Sequence, residues 1–383
     1  MTEATKPINT SNNTQSETTT KGPNFRIFPL AQVQPDGSPI DLSAIQSICS
    51  HGLDECPPED RAVAWLVLTH VYPSNAEEWP TFRNERIAQY KDYIDMLKLT
   101  GYENRIYPNT SEQSKFDLDN DELMELIHGD VIRTAHHLQF LPYADPNAPE
   151  PESPDDLLMP YHEQIRRMER ILYIFSTLNR TLSYLQGFNE LVIVIYYAYS
   201  LALNYFHDDF TEMEAFVFFT FQSLMASTKL NELFTTQEHS CMIHNRLNEF
   251  MKVLQQHLPK THKLITDLDI HPLCFCYRWL NLLFAQDYLM PNLMLIWDSI
   301  MSHFHELVEY NTYVAVAQVK MIEPLLTSDD QIEIITTLQR TQVSDVQGLL
   351  YWANKFWDED QKKKALLAPF SKLKKFRLKI GKK

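Results

Sequence analysis

Apolar residues return every three or four positions along most of this chain, a spacing that predicts amphipathic and buried helices. The pattern holds over 62–71, 85–98, 121–139, 161–179, 190–206, 212–227, 241–258, 313–326, 330–338 and 344–356. No convincing run alternates with period two, so the pattern predicts a mostly helical architecture and permits an all-α fold. Asp60 and Asp121 stand where an N-cap would accept from free backbone N–H groups, and Pro160 suits a first helical turn before Tyr161. The most apolar run, 191–206, is interrupted by Ser200 and Asn204 and ends in His207, Asp208 and Asp209. It falls short of the roughly 20 residues that cross a bilayer, which predicts a buried helix. Two polar stretches, 101–119 and the Pro- and acid-rich 143–160, are expected as loops. The first twenty residues are rich in Thr, Asn and Ser, lack the apolar core of a signal peptide and are expected to be disordered. No fixed-period repeat is present, which disfavours a solenoid.

Composition narrows the picture. A hydrophobic content of 44% supports a sizeable core, and only 8 Gly argue against folds that need many turns with positive φ. Five Cys, an odd number without framework spacing, point to a reducing compartment. Cys274 and Cys276 lack a second pair at zinc-finger spacing and read as core thiols, and no metal site is expected. The adjacent His136 and His137 are expected to face different sides of a helix. Neither a G-x-S-x-G elbow nor a G-x-x-x-x-G-K-[ST] loop occurs, so the chain has no nucleotide-binding active site of its own.

Charge is split between body and tail. The net charge is −16, yet 362–383, from Lys362 to Lys383, holds ten Lys or Arg and no acid, against 24 basic and 50 acidic residues elsewhere. An acidic body repels phosphate backbones, which excludes simple nucleic-acid binding. In the tail, Leu366, Phe370, Leu373, Phe376 and Ile380 gather on one side of a helical wheel, leaving Lys372, Lys374, Lys375, Arg377 and Lys379 mostly elsewhere. Such a basic amphipathic helix can lie on an anionic membrane, each basic residue adding about 1 kcal/mol. A solvated tail, or one folded back on the acidic body, is the alternative.

Two segments carry candidate chemistry. In Ile127-His128-Gly129-Asp130-Val131-Ile132-Arg133, Asp130 and Arg133 are i, i+3 neighbours on a helix, so the carboxylate can orient the guanidinium. In Tyr184-Leu185-Gln186-Gly187-Phe188, Gly187 offers a close backbone approach for another protein's switch loop. Tyr184 packs beneath the loop, and Asn189 can cap the following helix. An Arg can neutralise charge on a transferring γ-phosphoryl group, and a Gln amide can hold the attacking water.

The patterns I-x-x-D-x-x-R and Y-x-Q-G-hydrophobe resemble the two fingerprints of the TBC-domain Rab GTPase-activating proteins. Around them, Arg61 and Trp65 resemble the family's R-x-x-x-W, and Trp79, Arg86 and Tyr90 its W…R…Y pattern. Thr134 follows the Arg as in R-T, while Arg170-Ile171-Leu172 and Asn179 precede the glutamine loop. Asn189-Glu190-Leu191 completes Q-G-M-N-E-L, with Phe188 where Met is usual. Glu212-Met213-Glu214-Ala215-Phe216, Tyr277-Arg278-Trp279-Leu280 and Ile296-Trp297-Asp298 resemble the later blocks. Details over 168–172 and 270–300 look closest to the subgroup typified by TBC domain family member thirteen.

The resemblance implies a two-lobed all-helical domain over 25–358, with lobes of roughly 25–206 and 207–358, after a polar segment 1–24 and before the tail 359–383. It implies Arg133 as an arginine finger and Gln186 as a glutamine finger, supported by Asp130, Tyr184 and Gly187. Arg61, Trp65, Arg278, Trp279, Trp297 and Asp298 read as structural. The implied partner is a GTP-bound Rab-type small GTPase that carries the GTP and Mg²⁺, so no cofactor is expected for this chain. The implied setting is cytoplasmic and peripheral on endomembranes, in vesicle trafficking. A catalytically weak Rab-binding adaptor, or a membrane-surface scaffold, is the other reading.

Overall fold

The computed structural model describes residues 24–33, 38–105, 121–142, 156–234 and 239–380. The expected disordered N-terminal residues and most of both expected polar loops lie outside these. Every regular element among the described residues is helical. The early helices are α1 (Leu42–Cys49), α2 (Pro58–Leu68), α3 (Trp79–Met96), α4 (Asp121–Val131), α5 (Ala135–Leu138), α6 (His162–Leu178), α7 (Phe188–Ser200) and α8 (Phe210–Ser227). The later ones are α9 (His239–His257), α10 (Pro259–Asp267), α11 (Tyr277–Asn281), α12 (Asn292–Ser302), α13 (Leu307–Ile322), α14 (Gln331–Arg340) and α15 (Val346–Ile380).

Two helices organise the packing. α6 lies against α4, α7 and α8, whereas α13 lies against α9, α11, α12 and α15. α12 bridges the two groups by touching α1, α2, α7 and α13. All 13 residues of α7 are buried, as expected for the most apolar run, and no described helix is long and apolar enough to cross a membrane.

Caps explain several helix starts and correct two expectations. Asp209 accepts from the N–H groups of Thr211 and Glu212, and Asp330 from those of Ile332 and Glu333. Such caps contribute about 1 kcal/mol each. Asp60, expected as a cap, lies inside α2 behind Pro57 and Pro58. Its fully buried carboxylate accepts from the backbone N–H of Phe28 at 2.8 Å and of Arg26 at 2.5 Å. Pro160 lies in a 3₁₀ segment, Asp156–Tyr161, that precedes α6. The described start of the 101–119 stretch also differs from a simple polar loop. Tyr102 is buried there and donates to Glu169 on α6 at 2.7 Å. Of the two thiols expected in the core, Cys276 is buried and Cys274 is exposed.

α6 carries a row of buried charges, Arg166, Arg167, Glu169 and Arg170. Buried ions persist only when paired and hydrogen-bonded, and these are. Glu169 takes Arg166 at 2.8 Å and His128 at 2.6 Å. Glu214 on α8 takes Arg170 Nε and Nη2, both at 2.7 Å, Arg167 at 3.0 Å and the Tyr90 hydroxyl at 2.7 Å. Arg170 also pairs with Glu103.

Candidate functional site

The chain leaves α-helical geometry at Arg133. The helix expected over 121–139 divides into α4, a 3₁₀ turn at Ile132–Thr134 and the one-turn α5. The Thr134 hydroxyl donates to the Val131 carbonyl, stabilising the tighter winding. Residues three apart nearly eclipse in such a turn, so Arg133 lies over Asp130 and the two form an ion pair. The Asp130 side chain is 3% exposed and that of Arg133 is 61% exposed, so a buried anion holds a solvent-facing cation.

The second segment is tied to the first. Tyr184 donates to the Asp130 carboxylate at 2.8 Å, and the Asn189 amide donates to the Asp130 carbonyl at 3.1 Å. Asn189 also accepts from Gly187 N–H at 3.1 Å. Asn189 therefore lies within α7, whose N-cap position is Gly187, and locks the loop instead of capping the helix as expected. Gly187 has φ +108°, and a Cβ there would come within 2.9 Å of Leu282 Cδ2. Within the chain the close neighbour is Leu282, and Gly187 also lines the cleft shared by Arg133 and Gln186. Phe188 faces inward among Phe175, Tyr184, Phe221 and Phe234, with ring centroids 5.8, 6.0, 5.5 and 5.0 Å away. Its size is accommodated by the core.

Arg133 and Gln186 line one cleft of about 510 Å³, together with Asp130, Gly187, Asn189 and Glu190. The far wall is built by Arg278 on α11 and by Leu282 and Gln286 just beyond its C-terminal end. Gln186 is exposed. Arg278, expected as structural, is half exposed on this wall and donates to Asp287 at 3.1 Å. Burial pushes the Asp287 carboxyl up, opposed by Arg278.

His136 and His137 do not face apart. Their ring centroids are 4.1 Å from each other, and both imidazoles approach Glu190. His137 Nε2 is 2.6 Å from the Ala285 carbonyl, and Gln286 donates to Glu190 Oε1 at 3.0 Å. His136 Nε2, His137 Nδ1 and Glu190 Oε2 are buried atoms without a hydrogen-bond partner. Burial pushes the Glu190 carboxyl up, opposed by Gln286. It pushes the His137 imidazole down to about 4, opposed by the Ala285 carbonyl. This cluster escaped the sequence reading, although its signal was present: the pair follows Arg133 by three and four residues, and Glu190 follows Gln186 by four.

The remaining motif residues lie away from the cleft. Asp298 accepts from Arg61 Nε at 2.9 Å and Nη2 at 3.0 Å, from Trp65 Nε1 at 2.9 Å and from Leu53 N–H at 2.9 Å. Trp297 packs 5.9 Å from Trp65, centroid to centroid, and donates to the Leu283 carbonyl at 3.0 Å. Trp279 is buried and stacks on Phe284.

Residues 60–327 match the Rab-GTPase-TBC domain model, and the chain belongs to that family. Over 192 residues it is 29% identical to human TBC1 domain family member 13, covering 50% of this chain and 47% of that protein. It is 23% identical over 273 residues to GTPase-activating protein GYP7 of Saccharomyces cerevisiae, covering 64% of this chain and 33% of the other. The chain thus spans about half the length of the TBC1 domain family member 13 proteins it matches. Among solved structures, the Ypt/Rab-GAP domain of Gyp1p superposes with a TM-score of 0.64 at 16% identity, over 86% of this chain and 97% of that one. The Chlamydomonas flagellar RabGAP TBC domain gives 0.52 at 17% identity, over 83% and 86%. These likenesses establish the fold.

Proposed function

We propose that this protein accelerates GTP hydrolysis by a Rab-type small GTPase, donating Arg133 and Gln186 in trans. The observation that carries this reading is that two exposed side chains of the required types line one cleft, on segments joined through Asp130, Tyr184 and Asn189. GTP and Mg²⁺ belong to the partner. Arg133 reaches the γ-phosphate and neutralises the charge that grows on it, while Asp130 limits the rotamer entropy lost on contact. Gln186 orients the attacking water through its neutral amide, without needing a shifted pKa. Membership of the family and the relative named as a GTPase-activating protein support the reading.

Phosphate release from a panel of GTP-loaded Rab proteins tests it, with wild type beside Arg133→Ala and Gln186→Ala. Acceleration on one or a few of them, abolished by the first substitution and sharply reduced by the second, is expected. Binding without acceleration on any of them would leave an adaptor.

The basic segment 362–383 is proposed to hold the protein on anionic endomembranes, in keeping with a role in vesicle trafficking. The helical course of α15 as far as Ile380 supports this. Cutting the chain after Glu359 is expected to abolish sedimentation with phosphatidylserine vesicles, and unchanged sedimentation would refute it.

A further inference from the structure

Three buried atoms without a hydrogen bond converge beside the fingers. His136 Nε2, His137 Nδ1 and Glu190 Oε2 all lie within 4.8 Å of one another, and none has a hydrogen-bond partner. Leaving such atoms unsatisfied costs about 1–3 kcal/mol each, so three in one place call for a ligand. Water could serve one or two of them, but the types of the three atoms favour a cation. His137 is 1% exposed and Glu190 4% exposed, and both carry the supporting contact that metal ligands usually have. The His137 Nε2–H donates to the Ala285 carbonyl, which leaves the Nδ1 lone pair directed at the cluster. Gln286 holds the other oxygen of Glu190.

We propose that His136, His137 and Glu190 form a binding site for a zinc-class divalent cation. Two imidazoles and one carboxylate are a set that such a cation accepts, with the remaining positions open to water. Bonds of about 2.0–2.2 Å would draw the three atoms closer than they stand, through small side-chain rotations. His136 Nε2 and Glu190 Oε2 are already 3.9 Å apart. Arg133 does not oppose the added charge strongly, because its guanidinium is paired with Asp130 and faces solvent. The cation would join the segment after Arg133 to the helix after Gln186, adding a clip to the packing already between them.

The test is equilibrium dialysis of the full chain, freed of metal, against buffered Zn²⁺. Co²⁺ absorption provides a second readout that reports coordination directly. Wild type is expected to bind one equivalent at this site and to show a rise in thermal midpoint. His136→Ala and the isosteric Glu190→Gln should each weaken binding by about tenfold or more and remove the Co²⁺ bands, and Gln286→Ala by about tenfold. Since His137 is buried and its replacement endangers folding, the decision rests on the partly exposed His136 and on Glu190. No Zn²⁺ binding by wild type, or binding unchanged in both variants, would overturn the proposal. These readouts involve no GTPase, so the outcome is independent of whether the protein accelerates GTP hydrolysis.

Discussion

Two clusters of charge, one centred on α6 and one in the cleft beside α7, solve opposite problems. Around Glu214 and Glu169 nearly every buried donor meets an acceptor, and three arginines are held by carboxylates within the protein. In the cleft formed with α7, Arg133 is held at one end only, Arg278 is half exposed, and three ligand-type atoms lack partners. A saturated network fixes the positions of helices and has little left to offer a ligand. An unsaturated one has hydrogen-bonding capacity left to offer a partner, an ion or water. Charge by itself does not distinguish the cleft in this molecule; its exposed and only partly paired side chains do.

Substitutions can separate the two. Arg133→Ala should remove roughly 10³ to 10⁵ of the rate acceleration, about 4–7 kcal/mol, while costing about 1 kcal/mol of stability, since the buried Asp130 carboxylate loses its cation but keeps the Tyr184 hydroxyl. Phosphate release and urea unfolding measured on the same preparation check both halves. Glu214→Ala should do the reverse, losing about 3–5 kcal/mol of stability by leaving Arg167 and Arg170 buried without a counter-charge. If it unfolded no more easily than wild type, the network would have no structural role. Tyr184→Phe removes one hydrogen bond to Asp130 and should cost about 1 kcal/mol, roughly fivefold in acceleration, by loosening the finger.

The smallest effect is a pH dependence. Burial pushes the Glu214 carboxyl up, but Arg170 and Arg167 outweigh it and hold the group below the usual carboxylate range. A lowered folded-state pKa contributes stability above the unfolded value near 4.5, and that stability is lost as pH falls through the folded one. The stability difference between wild type and Glu214→Gln should therefore be constant above about pH 5.5 and shrink below about 4.5. Unfolding midpoints across that range measure it, and a difference that shrank near neutrality would point to another group.

Much of the fold was legible because helical periodicity is local. The 190–206 run, the glutamine loop and the Asp130–Arg133 spacing were all readable from the sequence. The features that escaped depended on distant partners. Glu214 and Arg170 were visible as motif residues, but nothing local says that they meet across two helices. Asp60 looked like a cap because Asp commonly serves as one, yet its partners are Arg26 and Phe28, far upstream. His136 and His137 were assigned different faces because adjacent helical positions diverge, yet the ends of their side chains converge with Glu190, a partner far along the chain. Gly187 stood out locally, but its approach to Leu282, 95 positions onward by residue number, could not be read there.

The margins of family likeness and the margins of the folded body differ. The match spans 60–327, yet Ile27 on one side and Leu349, Leu350 and Phe356 on the other are buried in the hydrophobic core. Asp298, well inside the match, takes one of its hydrogen bonds from Leu53, outside it. A fragment trimmed to the region of similarity would carry every recognisable motif and still lose α1 and α15, exposing the apolar faces they cover. The stretch that declares kinship is thus shorter than the stretch that folds, and ends that say nothing of ancestry hold the recognisable middle in shape.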